Sequence, residues 1–138
     1  MKLTIVLPLA GWALLGLSTA KAQEVIVNSS VKITEISKAD LRDIFTGASS
    51  NYKDGSRAVA VNLKSGPARD AFLKNFVGKN DAAYSAAWRA LVFSGQAAMP
   101  KSFPTEAALI DYVASVPGAI GYVGAPVEHE NVKTVPVK

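Results

Sequence analysis

A short stretch in the middle of the chain combines the residue types that bind anions in proteins. Residues 61–76, VNLKSGPARDAFLKNF, read as a strand, a Ser-Gly turn and then a helix. Backbone N–H groups in the first turn of a helix have no partner within that helix, and the macrodipole adds partial positive charge there. A phosphate or sulfate oxygen can accept hydrogen bonds from those groups. The stretch therefore predicts either an anion site or an ordinary helix start.

Several side chains and backbone groups of this stretch are candidates for binding an oxyanion. Gly66 lets the backbone approach a ligand closely, and the hydroxyl of Ser65 can add a side-chain hydrogen bond. Lys64 and Arg69 can supply positive charge, and Asn62 can donate a hydrogen bond from the end of the strand. The complete candidate set is Asn62, Lys64, Ser65, Gly66, Ala68 and Arg69.

The same residues also have a purely structural interpretation. Ser65 can cap the helix, which contributes roughly 1 kcal/mol to its stability. Lys64 and Arg69 can be solvated surface residues, and Arg69 can pair with Asp70 or Asp43. The sequence leaves both interpretations open.

The elements that position this stretch alternate between strands and helices. Apolar periodicity predicts strands at residues 24–30, 58–63, 119–123 and 131–137. It predicts helices between Ser37 and Gly47 and at residues 67–77, 81–93 and 105–116. The predicted caps are Ser37, Asp81 and Thr105, and residues 94–104 are predicted to be a loop. Strands joined through helices favour a parallel or mixed sheet with helices on both faces. The expected fold is a small three-layer α/β domain.

The first 22 residues have the pattern of a secretory signal peptide. Lys2 precedes an apolar run from Leu3 to Leu17, and Ala20-Lys21-Ala22 forms an A-x-A cleavage site. A retained membrane anchor is the alternative, but a span needs about 20 apolar residues. We expect cleavage after Ala22, a single domain from Gln23 to Lys138, no membrane span in that product, and a periplasmic or secreted location.

Composition excludes several functional classes. The full chain has a net charge of +4 from 15 basic and 11 acidic residues, and loss of Lys2 and Lys21 with the signal peptide lowers it to +2. This balance does not predict a nucleic-acid surface, which needs a dense basic patch. The chain has no cysteine, which excludes disulfides, thiol catalysis and a lipid anchor on cysteine.

Catalysis and metal binding have little support in the sequence. The single histidine, His129, lies between Glu128 and Glu130, and adjacent loop residues do not readily converge on one ion. No pair of nucleophile and base stands out. We expect a protein without catalytic activity, cofactor or metal, and a small enzyme using Glu128 and His129 is the alternative.

Three motifs together resemble a known family. They are LRDIFTG at residues 41–47, VNLKSGPARDAFL at residues 61–73 and PGAIGYVG at residues 117–124. In this order and behind a signal peptide, they resemble the phosphate-binding proteins of bacterial phosphate ABC transporters, in the type 2 periplasmic binding protein superfamily. The resemblance covers residues 26–124 and one of the two lobes that those proteins contain. It implies the fold of that lobe and a phosphate-binding-like function. Because the opposing lobe is missing, we expect an open lobe of this kind to bind phosphate weakly.

The resemblance also implies which ligand contacts are kept and which are lost. Ser65 and Gly66 match a Ser-Gly-Thr turn that binds phosphate in the family. Pro67 stands at the position of the threonine, and Val61 and Leu63 stand at the positions of an arginine and an aspartate that grip phosphate.

Two functions follow as expectations. The first is weak binding of phosphate or a similar small oxyanion after Ser65, linked to phosphate uptake, with a homodimer or a partner protein closing the site. The second is a non-transport interaction or assembly module of the cell envelope that kept the fold and lost tight ligand binding.

Overall fold

The computed structural model describes residues Gln23–Lys138. The predicted signal peptide and its alternative, a membrane anchor, both concern residues 1–22 and lie outside the described residues. In chain order, the elements are β1 (Glu24–Asn28), α1 (Lys38–Thr46), β2 (Val59–Leu63), α2 (Pro67–Phe72) with a π-helical continuation (Leu73–Val77), α3 (Asp81–Phe93), β3 (Lys101–Phe103), α4 (Glu106–Ser115), β4 (Ala119–Val123) and β5 (Val132–Thr134).

The five strands form one mixed sheet in the order β3-β2-β4-β1-β5. Strand β2 runs parallel to both β3 and β4, with Val59 opposite Ala119 and Val61 opposite Lys101. Strand β1 runs antiparallel to β4 and β5, with Ile26 opposite Gly121. The parallel pairs are connected through helices, as the alternation of elements predicts. The predicted α/β fold with a mixed sheet is confirmed.

Helices cover both faces of the sheet. On one face lies α4, and a Cβ at Gly121 would stand 2.8 Å from Cδ2 of Leu109. On the other face, the ring of Tyr122 stacks on Phe72 of α2 at 4.0 Å and lies 6.0 Å from Phe45 of α1. Strand side chains point alternately to the two faces, so neighbouring residues of β4 reach opposite helical layers.

Local capping signals mark most helix ends correctly. The hydroxyl of Ser37 accepts from the N–H of Asp40, Gly47 ends α1 in the left-handed region, and the hydroxyl of Thr105 accepts from the N–H of Ala108. The predicted cap of α3 is wrong by one residue, because the side chain of Asn80 accepts from the N–H of Ala83 and Asp81 is the first helical residue.

Two further segments differ from the prediction. The predicted loop at residues 94–104 contains β3, which lies between Pro100 and Pro104 and is recognisable only through its pairing with β2. The predicted last strand, residues 131–137, is regular only at Val132–Thr134. Within Gln23–Lys138, no helix is long and apolar enough to cross a bilayer.

Candidate functional site

The junction between β2 and α2 forms a tight turn, as the sequence predicts. The N–H of Lys64 still belongs to the sheet edge, since it donates to the carbonyl oxygen of Phe103 at 2.8 Å. Gly66 then has φ +106°, a conformation that favours glycine, and Pro67 is the first residue of α2. The N-cap residue is Gly66, and no side chain caps the helix. The interpretation of Ser65 as the cap is therefore wrong.

Among the described residues, several backbone donors of the turn find no partner. Within residues 23–138, the backbone N–H groups of Ser65, Gly66, Ala68 and Arg69 donate to no protein acceptor, whereas the N–H of Asp70 donates to Gly66 at 3.0 Å. Pro67 contributes no N–H. Four unpaired donors within five residues are the backbone pattern that an oxyanion can satisfy.

Three of the four residues that carry these donors, Ser65, Gly66 and Ala68, border an open depression of about 550 Å³, which we call the turn cleft. Its walls are the start of α2, the start of α4 and the end of β4, with Gln23 at one side; the lining residues are Gln23, Leu63, Ser65, Gly66, Pro67, Ala68, Ala71, Pro104, Thr105, Glu106, Gly124 and Ala125. Three of the six candidate residues, Ser65, Gly66 and Ala68, lie here together.

A carboxylate stands beside the turn. Oε2 of Glu106 accepts a hydrogen bond from the N–H of Gly124 at 2.9 Å. A Cβ built on Gly124 would lie 3.2 Å from this oxygen and 3.6 Å from Cβ of Ala68, so the carboxylate and the first turn of α2 are close neighbours. Like charges repel at such distances, and Glu106 therefore opposes an anion in the turn cleft.

The other three candidates, Asn62, Lys64 and Arg69, lie in a separate depression of about 310 Å³, which we call the arginine cavity. The side chain of Arg69 is only 8% exposed, in contrast to the predicted solvated surface position. Its Nη1 donates to the carbonyl oxygen of Leu63 at 2.9 Å. Its ion-pair partner is Asp81, at 2.6 Å, rather than Asp70 or Asp43.

Asn62 is fully engaged inside the protein. Its Nδ2 donates to the hydroxyl of Tyr84 at 3.1 Å, and its Oδ1 accepts from the hydroxyl of Tyr122 at 3.1 Å. The hydroxyl of Tyr84 donates in turn to the carbonyl oxygen of Phe45 at 2.8 Å. Burial raises the pKa of Tyr122 to about 12 and also raises the pKa of Tyr84. Asn62 therefore links β2 to α3 and to β4, and its amide already donates inside the protein rather than to a ligand at the strand end.

Sequence reasoning missed two residues that shape these depressions. Glu106 borders the turn cleft, and Asp81 supplies the counter-ion of Arg69. A weak signal was present for both, since each is the acidic residue in the first turn of a helix, where negative charge is favourable.

The segment around the histidine is separate from both depressions. Glu128, His129 and Glu130 are exposed, and Nδ1 of His129 accepts a hydrogen bond from the N–H of Asn131 at 3.3 Å. Across residues 23–138, no group of three His, Cys, Asp or Glu side chains is placed to hold a metal ion.

Comparison with solved structures finds the same architecture in proteins of phosphate transport. An ABC-type phosphate transport receptor from Vibrio cholerae is 15% identical, with a TM-score of 0.65, over 85% of this chain and 46% of its own. PstS from Borrelia burgdorferi is 18% identical, with a TM-score of 0.63, over 85% of this chain and 47% of its own. A protein from Clostridium perfringens, described as a phosphate ABC transporter substrate-binding protein, was solved with bound phosphate. It is 20% identical, with a TM-score of 0.64, and the match covers 85% of this chain and 45% of that protein.

These likenesses show the fold. No protein-family model and no curated protein matches the chain. The chain spans less than half the length of the three solved structures that it matches. The resemblance that the three sequence motifs carry, to one lobe of a phosphate-binding protein, is confirmed as a likeness of fold.

Proposed function

We propose that the protein is an exported binding protein without catalytic activity, which binds phosphate or a similar small oxyanion weakly at the turn Ser65–Ala68. The observation that carries this proposal is the set of unpaired backbone N–H groups at that turn. The turn occurs in a fold shared with proteins of phosphate transport, and we extend the proposal to a role in phosphate uptake. Export is supported by the signal-peptide pattern of residues 1–22.

The turn cleft by itself supports only weak binding. An exposed helix start contributes about 0.3–1 kcal/mol to holding a charge. Millimolar binding corresponds to about 4 kcal/mol. The carboxylate of Glu106 lowers the gain further. Tight binding requires a second wall that excludes water, and a homodimer or a partner protein in the envelope would provide it.

Calorimetric titration of Gln23–Lys138 with phosphate and with sulfate, at constant ionic strength, tests this proposal. One five-stranded sheet and one contiguous hydrophobic core are built from these residues, which makes them a suitable folding unit. Ser65→Ala should weaken phosphate binding severalfold, whereas Ser50→Ala, an exposed loop position, should not. Absence of heat at millimolar phosphate and sulfate would contradict the proposal.

An apolar surface favours the second candidate function, an interaction module of the envelope. The side chain of Phe93, the last residue of α3, is 94% exposed. Its neighbour Val92 is 42% exposed, and Met99, six residues after Phe93 along the chain, is 51% exposed. Exposed aromatic and aliphatic side chains of this kind are typical of protein contacts.

Sedimentation and pull-down from envelope extracts test this second function. Replacement Phe93→Ser should reduce self-association or partner recovery at least severalfold, because it removes the largest exposed apolar side chain of residues 23–138. Lys53→Ser, another exposed position, is the control. A protein that stays monomeric and recovers the same partners with and without Phe93 contradicts an interaction role for this surface.

A further inference from the structure

Arg69 is held in place as a preformed cationic group. Its Nη1 donates to the carbonyl oxygen of Leu63 at 2.9 Å, and its guanidinium carbon lies 5.4 Å from the centre of the Tyr84 ring. The side chain is 8% exposed, so it has little freedom to leave the cavity. A buried guanidinium needs a negative partner, since the desolvation of an unpaired charge is costly.

The present partner of Arg69 engages it incompletely. Both Nε and Nη2 of Arg69 contact the same oxygen, Oδ1 of Asp81, each at 2.6 Å. Two oxygens on the two N–H groups would form the stronger bidentate arrangement. The side chain of Asp81 is 58% exposed, so its carboxylate is already largely hydrated, and a ligand carboxylate on Arg69 would replace the ion pair that Asp81 gives up. Asp81 therefore occupies a place on Arg69 that another carboxylate can take.

The rest of the arginine cavity matches an organic ligand better than an inorganic ion. Tyr84, Trp88, Met99 and Pro100 supply apolar lining, and Ser85 and Ser102 supply hydroxyls. The side chain of Lys64 adds a second positive charge at an exposed position. A volume of about 310 Å³ is near the lower limit of small-molecule sites.

We infer that the arginine cavity is a second binding site, which takes a small organic carboxylate with an apolar or aromatic body. The ligand carboxylate pairs with Arg69 in place of Asp81, the body lies along Tyr84, Trp88 and Met99, and Lys64 adds long-range attraction. This site does not use the unpaired backbone N–H groups of Ser65 and Gly66 in the turn cleft. Its test is therefore independent of the test of the proposed oxyanion site.

Intrinsic fluorescence reports directly on this cavity. The full chain has two tryptophans, Trp12 and Trp88, so Gln23–Lys138 retains Trp88 alone. Phenylacetate is a suitable probe, with 2-phenylethanol as its uncharged analogue and inorganic phosphate as the competing oxyanion. We expect a saturable change of Trp88 emission with phenylacetate, and about tenfold weaker binding of 2-phenylethanol because the charge-assisted pair is lost.

Two substitutions sharpen the test. Asp81→Asn removes the competing carboxylate and should tighten phenylacetate binding about tenfold. Lys64→Gln, at an exposed position that does not endanger folding, should weaken it about threefold, and Lys53→Gln is the matched control. If Asp81→Asn does not fold, the comparison of the two probes and Lys64→Gln decide the question.

Three results would overturn the inference. The first is no saturable change of Trp88 emission with phenylacetate in the wild type, together with none in a folded Asp81→Asn protein. The second is equal binding of phenylacetate and 2-phenylethanol. The third is displacement of phenylacetate by inorganic phosphate at concentrations below those at which phenylacetate itself binds, which would make the cavity an inorganic oxyanion site. None of these depends on the response of Ser65→Ala to phosphate.

Discussion

The carboxylate of Glu106, the first residue of α4, is held against the end of β4 by a 2.9 Å hydrogen bond from the N–H of Gly124. This contact fixes a negative charge beside the first turn of α2. The turn cleft therefore contains both the donors that attract an oxyanion and a charge that repels it.

Replacement Glu106→Gln should strengthen phosphate binding about fivefold. The amide oxygen of glutamine can still accept from Gly124, while the repulsion, worth about 1 kcal/mol near a protein surface, disappears. Calorimetric titration measures the change in affinity. Glu128→Gln is the control, because it removes the same negative charge from a loop outside the turn cleft. Equal affinities of the two variants would show that Glu106 does not act on the ligand.

Replacement Pro67→Thr should also strengthen phosphate binding, by about tenfold. Threonine adds a backbone N–H and a hydroxyl at the start of α2, and hydrogen bonds to a charged ligand contribute about 1.5–3 kcal/mol each before losses from ordering. Pro126→Thr, in an exposed loop, is the control. If Pro67→Thr binds phosphate no better than Pro126→Thr, the ligand does not contact the start of α2.

Breaking the Arg69–Asp81 pair should destabilise the fold, and the two substitutions should be strongly coupled. Asp81→Asn leaves a buried guanidinium without its counter-ion, and we expect a loss of about 1–3 kcal/mol, reduced from the usual range because Asp81 is half exposed. Arg69→Met in the same chain should recover part of this loss.

Urea unfolding of the two single variants and the double variant measures the coupling. The exposed ion pair of Lys138 and Glu35, at 3.3 Å, provides the comparison. Glu35→Gln should lower the free energy of unfolding by less than about 1 kcal/mol. Strictly additive losses at Arg69 and Asp81 would mean that the pair contributes nothing of its own.

The tyrosines buried with Asn62 should make the fold sensitive to alkali. Burial raises the pKa of Tyr122 from 10.0 to about 12, so the unfolded chain loses this proton first as the pH rises. Stability from this group is complete below pH 10 and decreases between pH 10 and 12, by up to about 1.4 kcal/mol per pH unit.

Tyr122→Phe separates this effect from the hydrogen bonds of the hydroxyl. At neutral pH, the variant should lose about 1–3 kcal/mol, because Oδ1 of Asn62 and the N–H of Leu63 each lose a partner. Above pH 10, its stability should fall less steeply than that of the wild type. Urea midpoints measured from pH 8 to 11 give both quantities, and parallel slopes would contradict the assignment to Tyr122.

The parts of the fold that the sequence predicts correctly depend on local signals. Ser37, Gly47 and Thr105 act within one turn of a helix, and the apolar strand ending at Leu63 is evident from its own residues. Strand β3 has no such signal, because Lys101 and Ser102 are polar and exposed and become a strand only through β2.

The site was predictable only in part for the same reason. Gly66 and Pro67 define the turn locally, so its position follows from the sequence. The partner of Arg69 lies 12 residues away on another helix, and the neighbour of Gly124 lies 18 residues away. Only the folded chain shows that the six candidate residues are divided between two depressions.

The two edges of the sheet limit how copies of this protein can combine. The edge strands β3 and β5 are three residues long, with Pro100 and Pro104 around the first and Pro136 soon after the second. Short, proline-bounded edges offer few backbone groups for pairing with another strand. Among residues 23–138, assembly by continuous growth of the sheet, as in a fibril, is therefore disfavoured, and we expect a discrete complex, where one forms, to use side-chain surfaces such as that around Phe93.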